Sequence, residues 1–96
     1  MQLSEISSPI KRKSIDVEGK RYEYELKSFK GGAVASFGII LYEICATLTT
    51  KRGVSFYKTG GLFSSVDKAL DFFNFITENL VTPQNLPYVV EDCFYF

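Results

Sequence analysis

The chain lacks histidine and tryptophan altogether, and its 96 residues include only two cysteines, three prolines and one methionine. Without imidazole there is no His-based catalytic triad, no His-bearing zinc site, no histidine-ligated haem and no imidazole acid–base chemistry. Two cysteines, Cys45 and Cys93, are too few for the disulfide framework of a small secreted domain, so they read as reduced, buried thiols. Net charge is also missing, because 11 Lys plus Arg offset 11 Asp plus Glu. A long apolar run is absent as well. The most apolar stretch, Ala33 to Leu48, carries Glu43 and falls short of the about 18 residues that suggest a membrane span. Met1 to Pro9 has neither an apolar core nor a small-residue cleavage site, so the expected location is cytoplasmic.

What is present is ordinary for a folded soluble domain: 46% hydrophobic and 23% charged residues. The length suits one domain over residues 1–96, with residues 1–8 flexible, a sheet over 9–59 and helices over 64–94. Arg21 to Phe29 alternates, placing Tyr22, Tyr24 and Leu26 on one face and Arg21, Glu23, Glu25 and Lys27 on the other. A three-residue loop with Gly19 in a bulge would shift the register, but with Glu18-Gly19 as the loop Ile10 to Val17 pairs with it around those two residues. That register sets Ile15 opposite Tyr22, Asp16 opposite Arg21 and Arg12 opposite Glu25, matching opposite charges across the ladder. Gly31-Gly32 breaks the chain before a third strand, with Phe37, Ile39 and Leu41 on one face and Ile40, Tyr42, Ile44 and Ala46 on the other. Apolar character on both faces marks it as central. Thr49 to Gly53 is a polar turn, Val54 to Lys58 a fourth strand, and Gly60-Gly61 its end.

The period then changes. Ser64 and Asp67 have capping-box spacing, and Val66, Leu70, Phe73, Ile76 and Leu80 recur at helical intervals, predicting a helix that stops near Val81. Thr82-Pro83 begins a single turn, and a second helix restarts at Asn85 so that Pro87 falls near its start; Leu86, Val89, Val90, Cys93 and Phe94 form its stripe. The expected fold is therefore α+β: a four-stranded antiparallel β-meander followed by two C-terminal helices packed on one face.

Patterns that carry chemistry elsewhere are weak here. Lys58-Thr59-Gly60 and Ser65-x-x-Lys68 echo the serine acyl-enzymes, but in reversed order, without the third element and in too short a chain. The Gly31-Gly32 and Gly60-Gly61 pairs sit in no phosphate-binding frame. The carboxylate pairs Glu23/Glu25, Asp67/Asp71 and Glu91/Asp92 have no basic or metal partner that completes a site. No catalytic, cofactor-binding or metal residue is assigned, no cofactor or small-molecule substrate is implied, and the chain reads as a non-enzyme.

Two surfaces remain. Nine Phe and six Tyr are more rings than one core under a four-stranded sheet uses. Phe72, Phe75, Phe94 and Phe96 on the helical side form the candidate interface for a protein partner or a second copy in a homodimer. The alternative is a nucleic-acid contact through Lys11, Arg12, Lys13, Lys51 and Arg52, interleaved with the sheet's aromatics. It is the lesser reading, because a dedicated nucleic-acid binder carries a larger excess of positive charge. The neutral total does hide an asymmetry: residues 1–60 carry ten basic and six acidic side chains, and residues 61–96 carry one and five.

The segment Ser64-Ser65-x-Asp67 opening a Leu/Phe-rich helix, followed by Thr82-Pro83-x-x-Leu86-x-x-Val89-Val90-Glu91-Asp92, resembles a family of short Firmicutes proteins classed as a domain of unknown function. Phe37-Gly38-Ile39 fits the aromatic-Gly-Ile strand of that family, where Tyr is more usual. The resemblance spans Tyr22 to Cys93 and leaves out the segment before Ser14 and the Phe-Tyr-Phe end. It implies an intracellular bacterial origin and no assigned activity, and it transfers no catalytic or ligand residue.

Overall fold

In the computed structural model, the described residues are 7–30 and 40–94. They form four strands, β1 (Ser7–Val17), β2 (Lys20–Lys30), β3 (Ile40–Thr50) and β4 (Gly53–Lys58), then two helices, α1 (Val66–Glu78) and α2 (Leu86–Phe94). The sheet order is β1-β2-β3-β4 and every neighbouring pair is antiparallel, so the domain is the expected meander with two C-terminal helices. The expected break at Gly31-Gly32, the strand residues Phe37 and Ile39, and the aromatic tail residue Phe96 lie outside the described residues.

The first hairpin has the register that charge pairing implied: Ile15 opposite Tyr22, Asp16 opposite Arg21 and Arg12 opposite Glu25. Its two turn residues are left-handed, Glu18 at φ 49° and Gly19 at φ 81°. That geometry matches the right-handed twist of the flanking strands, and glycine adopts it without a Cβ penalty. One irregularity, between Pro9 and Lys11, leaves Ile10 as a bulge.

The second hairpin turns at Lys51-Arg52, so β3 runs through Thr50, further than the expected polar turn at Thr49. Thr50 holds that turn, its Oγ1 accepting from the Arg52 N–H at 3.1 Å. After β4 the chain stays on β3. The Thr59 N–H donates to the Ile44 carbonyl at 3.0 Å, and Phe63 bridges Tyr42.

Helix α1 starts at Ser65, one residue later than the capping box suggested. The Ser65 hydroxyl accepts from the Lys68 N–H at 3.4 Å, and Asp67 lies in the first turn, where the helix dipole favours it. The helix stops at Glu78, short of Val81, because Leu80 turns left-handed at φ 48°. The Val81 N–H then donates back to the Ile76 carbonyl at 3.0 Å and the Leu80 N–H to the Thr77 carbonyl at 3.3 Å. This pair of bonds closes the last turn as glycine usually does, with leucine in glycine's place. Thr82 opens the predicted turn, its carbonyl accepting from the Asn85 and Leu86 N–H groups, and α2 follows with Pro87 in its first turn, where no helical donor is needed.

Both helices lie on the face carrying Tyr22, Tyr24 and Leu26. The core joins Tyr24, Leu26, Ile44, Ala46 and Phe63 to Ala69, Phe72, Phe73 and Ile76 of α1 and to Leu86 and Val90 of α2. The buried arc of α1 is rotated from the predicted stripe, since Val66 is exposed while Phe72 is buried. Tyr24 also ties the layers through a polar bond: its hydroxyl donates to the Val81 carbonyl at 2.8 Å.

Candidate functional site

Phe72, expected at an interface, is a core residue. It is 7% exposed and its ring lies 5.4 Å from that of Phe63. The physical reason is the rotation of α1: Phe63, delivered beside β3 by its bridge to Tyr42, fills the space under Phe72. Phe75 is exposed at 49%, as expected of a contact residue. Phe94 ends α2, with its side chain outside the described set, and Phe96 lies beyond it. Of the four residues, the described structure therefore leaves Phe75 alone as a surface ring.

The basic residues also separate. Strand alternation sends Lys11 and Lys13 to the helix-covered side and Arg12 to the opposite face. The Lys11 ammonium lies 5.6 Å from the Phe73 ring centroid and donates to Asn74 Oδ1 at 3.3 Å. Arg12 donates from Nε to Glu25 at 3.0 Å. Lys51 and Arg52 sit at the far end of the sheet, beside Glu18, Gly19 and Lys20 around a shallow depression of about 470 Å³. Between Lys11 and that end run six strand residues, roughly 20 Å at the usual rise. The five basic candidates thus belong to three places.

Among the described residues, no element covers the sheet face away from the helices. Register places Arg12, Ser14 and Asp16 of β1, Arg21, Glu23, Glu25 and Lys27 of β2, Glu43, Cys45 and Thr47 of β3, and Val54, Phe56 and Lys58 of β4 on it. Four cations and four carboxylates make that face neutral. Arg12 and Lys27 both approach Glu25, at 3.0 and 4.0 Å, and Arg21 donates to Asp16 at 3.0 Å. A depression of about 420 Å³ is lined here by Arg12, Glu25, Lys27, Cys45, Phe56 and Lys58 among others. The Cys45 thiol lies at its floor, with Glu43 Oε2 at 3.7 Å. Burial, and then the Glu43 carboxylate, push this thiol up to about 11, which favours its protonated form at neutral pH.

The two edges of the sheet differ. β1 carries a bulge, Pro9, and charges at Lys11, Arg12, Lys13 and Asp16, which are the devices that discourage pairing with another chain. β4 has no proline, no irregularity in its register and one charge, Lys58. The bond from Thr59 to Ile44 sets the ladder parity, so Ser55 and Tyr57 point their backbone groups at β3 while Val54, Phe56 and Lys58 point theirs outward. The same strand displays Val54 at 67% and Phe56 at 57% exposure. The expected meander already places this last strand at an edge; that no other described residue covers its outer side is seen only in the structure.

No protein-family model, curated protein or solved structure matches the chain.

Proposed function

We propose that this chain is a non-enzymatic protein-binding module, and that its contact surface is the β4 edge with the adjoining open sheet face rather than the helical pair. The observation that carries the reading is the strand itself: Val54 and Phe56 expose their side chains, and their backbone donors and acceptors face outward, on an edge that no other described residue pairs with and that has no bulge or proline. An incoming strand satisfies those backbone groups and covers two apolar side chains at once, which is how sheet-edge recognition obtains both affinity and register. The neutral open face supplies salt-bridged polar groups around that apolar strip, the arrangement of an interface rim around its centre.

The test is a photo-crosslinking amino acid placed at position 56 and, separately, at position 75, in the living cell. Protein adducts from position 56 that exceed those from position 75 support the reading. Adducts to nucleic acid, or none from position 56, overturn it. The alternative, nucleic-acid binding, draws support from one observation: Lys51 and Arg52 share an end of the sheet with Lys20. It predicts strong heparin retention that falls steeply with salt and is lost in Lys51→Ala/Arg52→Ala.

A further inference from the structure

We infer that the strand received by β4 is β4 of a second copy, paired antiparallel about a two-fold axis at Ser55; the inference rests on the edge-binding reading above and names its partner. The pattern Val54-Ser55-Phe56 is self-complementary in that register. With Ser55 opposite its own counterpart, Val54 of each copy faces Phe56 of the other, and the two apolar pairs sit side by side on the open face. The backbone agrees. Val54 and Phe56 are the residues whose N–H and C=O groups point outward, so the Val54–Phe56 pairs are the hydrogen-bonded ones and the central Ser55 pair is the close, non-bonded one.

Shifting the axis by one residue, onto Phe56, replaces the two Val54–Phe56 pairs with a single Phe56–Phe56 pair and sets each Val54 against Lys58. An isologous pairing also closes, giving one eight-stranded sheet per dimer instead of an open filament. Paired with the opposite edge, β1, the strand would meet the bulge, the proline and the charges. A strand this short buries little area, so the dimer falls in the weak class of interfaces and its population depends on concentration.

Charge gives the dimer a signature. In this register Lys58 and the Arg52 of the other copy flank the pairing at both rims, so like charges approach and added salt strengthens association. A head-to-tail contact between the basic sheet half and the acidic helical half weakens with salt instead.

Sedimentation equilibrium across concentration and salt, with two variants, decides the matter. The expected result is a monomer–dimer equilibrium that shifts toward dimer as salt rises. Val54→Pro removes an outward N–H without touching the β3 ladder, so it is expected to remain folded by circular dichroism and to be monomeric. Ser55→Cys in a Cys93→Ser background is expected to form a disulfide-linked dimer under mild oxidation, whereas Lys51→Cys in the same background is not. A monomer at every concentration, a dimer that survives Val54→Pro, a dimer that weakens with salt, or no Ser55→Cys cross-link each overturns the inference. If the chain is monomeric while position 56 still crosslinks another protein in the cell, self-pairing fails and the edge-binding reading stands. If position 56 yields no protein adduct, both fail.

Discussion

Replacing Tyr24 by phenylalanine removes one oxygen from the core, and the structure specifies what that oxygen does. The Tyr24 ring is 2% exposed, and its hydroxyl donates to the carbonyl of Val81, just beyond the last turn of α1. The bond therefore fastens the central strand β2 to the link between the helices. Losing a neutral hydrogen bond costs about 1 kcal/mol, and part of the penalty for an unsatisfied Val81 carbonyl adds to it, for a total of about 1–2 kcal/mol. In a domain of this size that lowers Tm by about 4–8 °C per kcal/mol.

The same residue gives the alkaline limb a sign. Burial, followed by neighbouring Tyr22, pushes the Tyr24 phenol up from 10.0 to about 12. The unfolded chain releases this proton near pH 10, whereas the folded chain holds it to about 12. The stabilisation is thus complete below pH 10 and is lost as pH rises through 12. Cys45 falls in the same sense, from its ordinary 9.0 toward about 11, so both proteins are compared in a Cys45→Ala background. Urea midpoints measured at pH 7, 9, 10 and 11 should then show a lower midpoint for Tyr24→Phe at neutral pH and a shallower decline above pH 10. Equal midpoints at pH 7, or parallel declines, would refute the assigned role of the bond.

Three further substitutions, one of them with a control at the neighbouring position, probe separate parts of the fold by the same unfolding measurements. Phe73→Ala empties the centre of the core, where the ring is 0% exposed, and should cost about 3–5 kcal/mol. Glu18→Asn places the preferred Asn-Gly pair in the left-handed turn at φ 49° and 81°, and should stabilise by about 0.5 kcal/mol; a loss of stability would mean that the turn is not of this type. Ser65→Ala removes the cap of α1 and should cost about 0.5–1 kcal/mol, at the low end for caps because the bond is long and exposed, while Ser64→Ala, at the position the sequence suggested, should cost less.

The strands, and the register of the first hairpin, were legible because that hairpin is local. Asp16 meets Arg21 and Arg12 meets Glu25 within one turn of chain, so charge and alternation settle the pairing without long-range information. The helix boundaries were legible to within a few residues for the same reason. The end of α1 was misjudged because its stop is leucine in a left-handed conformation, and leucine carries no signal for that.

The candidate surfaces were less legible. Periodicity says that α1 has an apolar side, but an all-round scatter of Phe72, Phe73 and Phe75 leaves its rotation open by one position. The basic run Lys11-Arg12-Lys13 looks contiguous on paper, and the pleat divides it between two faces.

By itself, then, the sequence determined the order ββββαα and the absence of histidine chemistry, and its opposite charges favoured the register of the first hairpin, since each depends on residue type and short spacing. Only the tertiary structure decided which face of the sheet the helices cover, that Phe72 lies inward against Phe63, and that no other described residue covers the outer side of β4. Those outcomes depend on how distant segments compete for the same apolar surface. Once Phe63 and both helices occupy one side of the sheet, the opposite side and the outer side of the last strand are what the described residues leave uncovered.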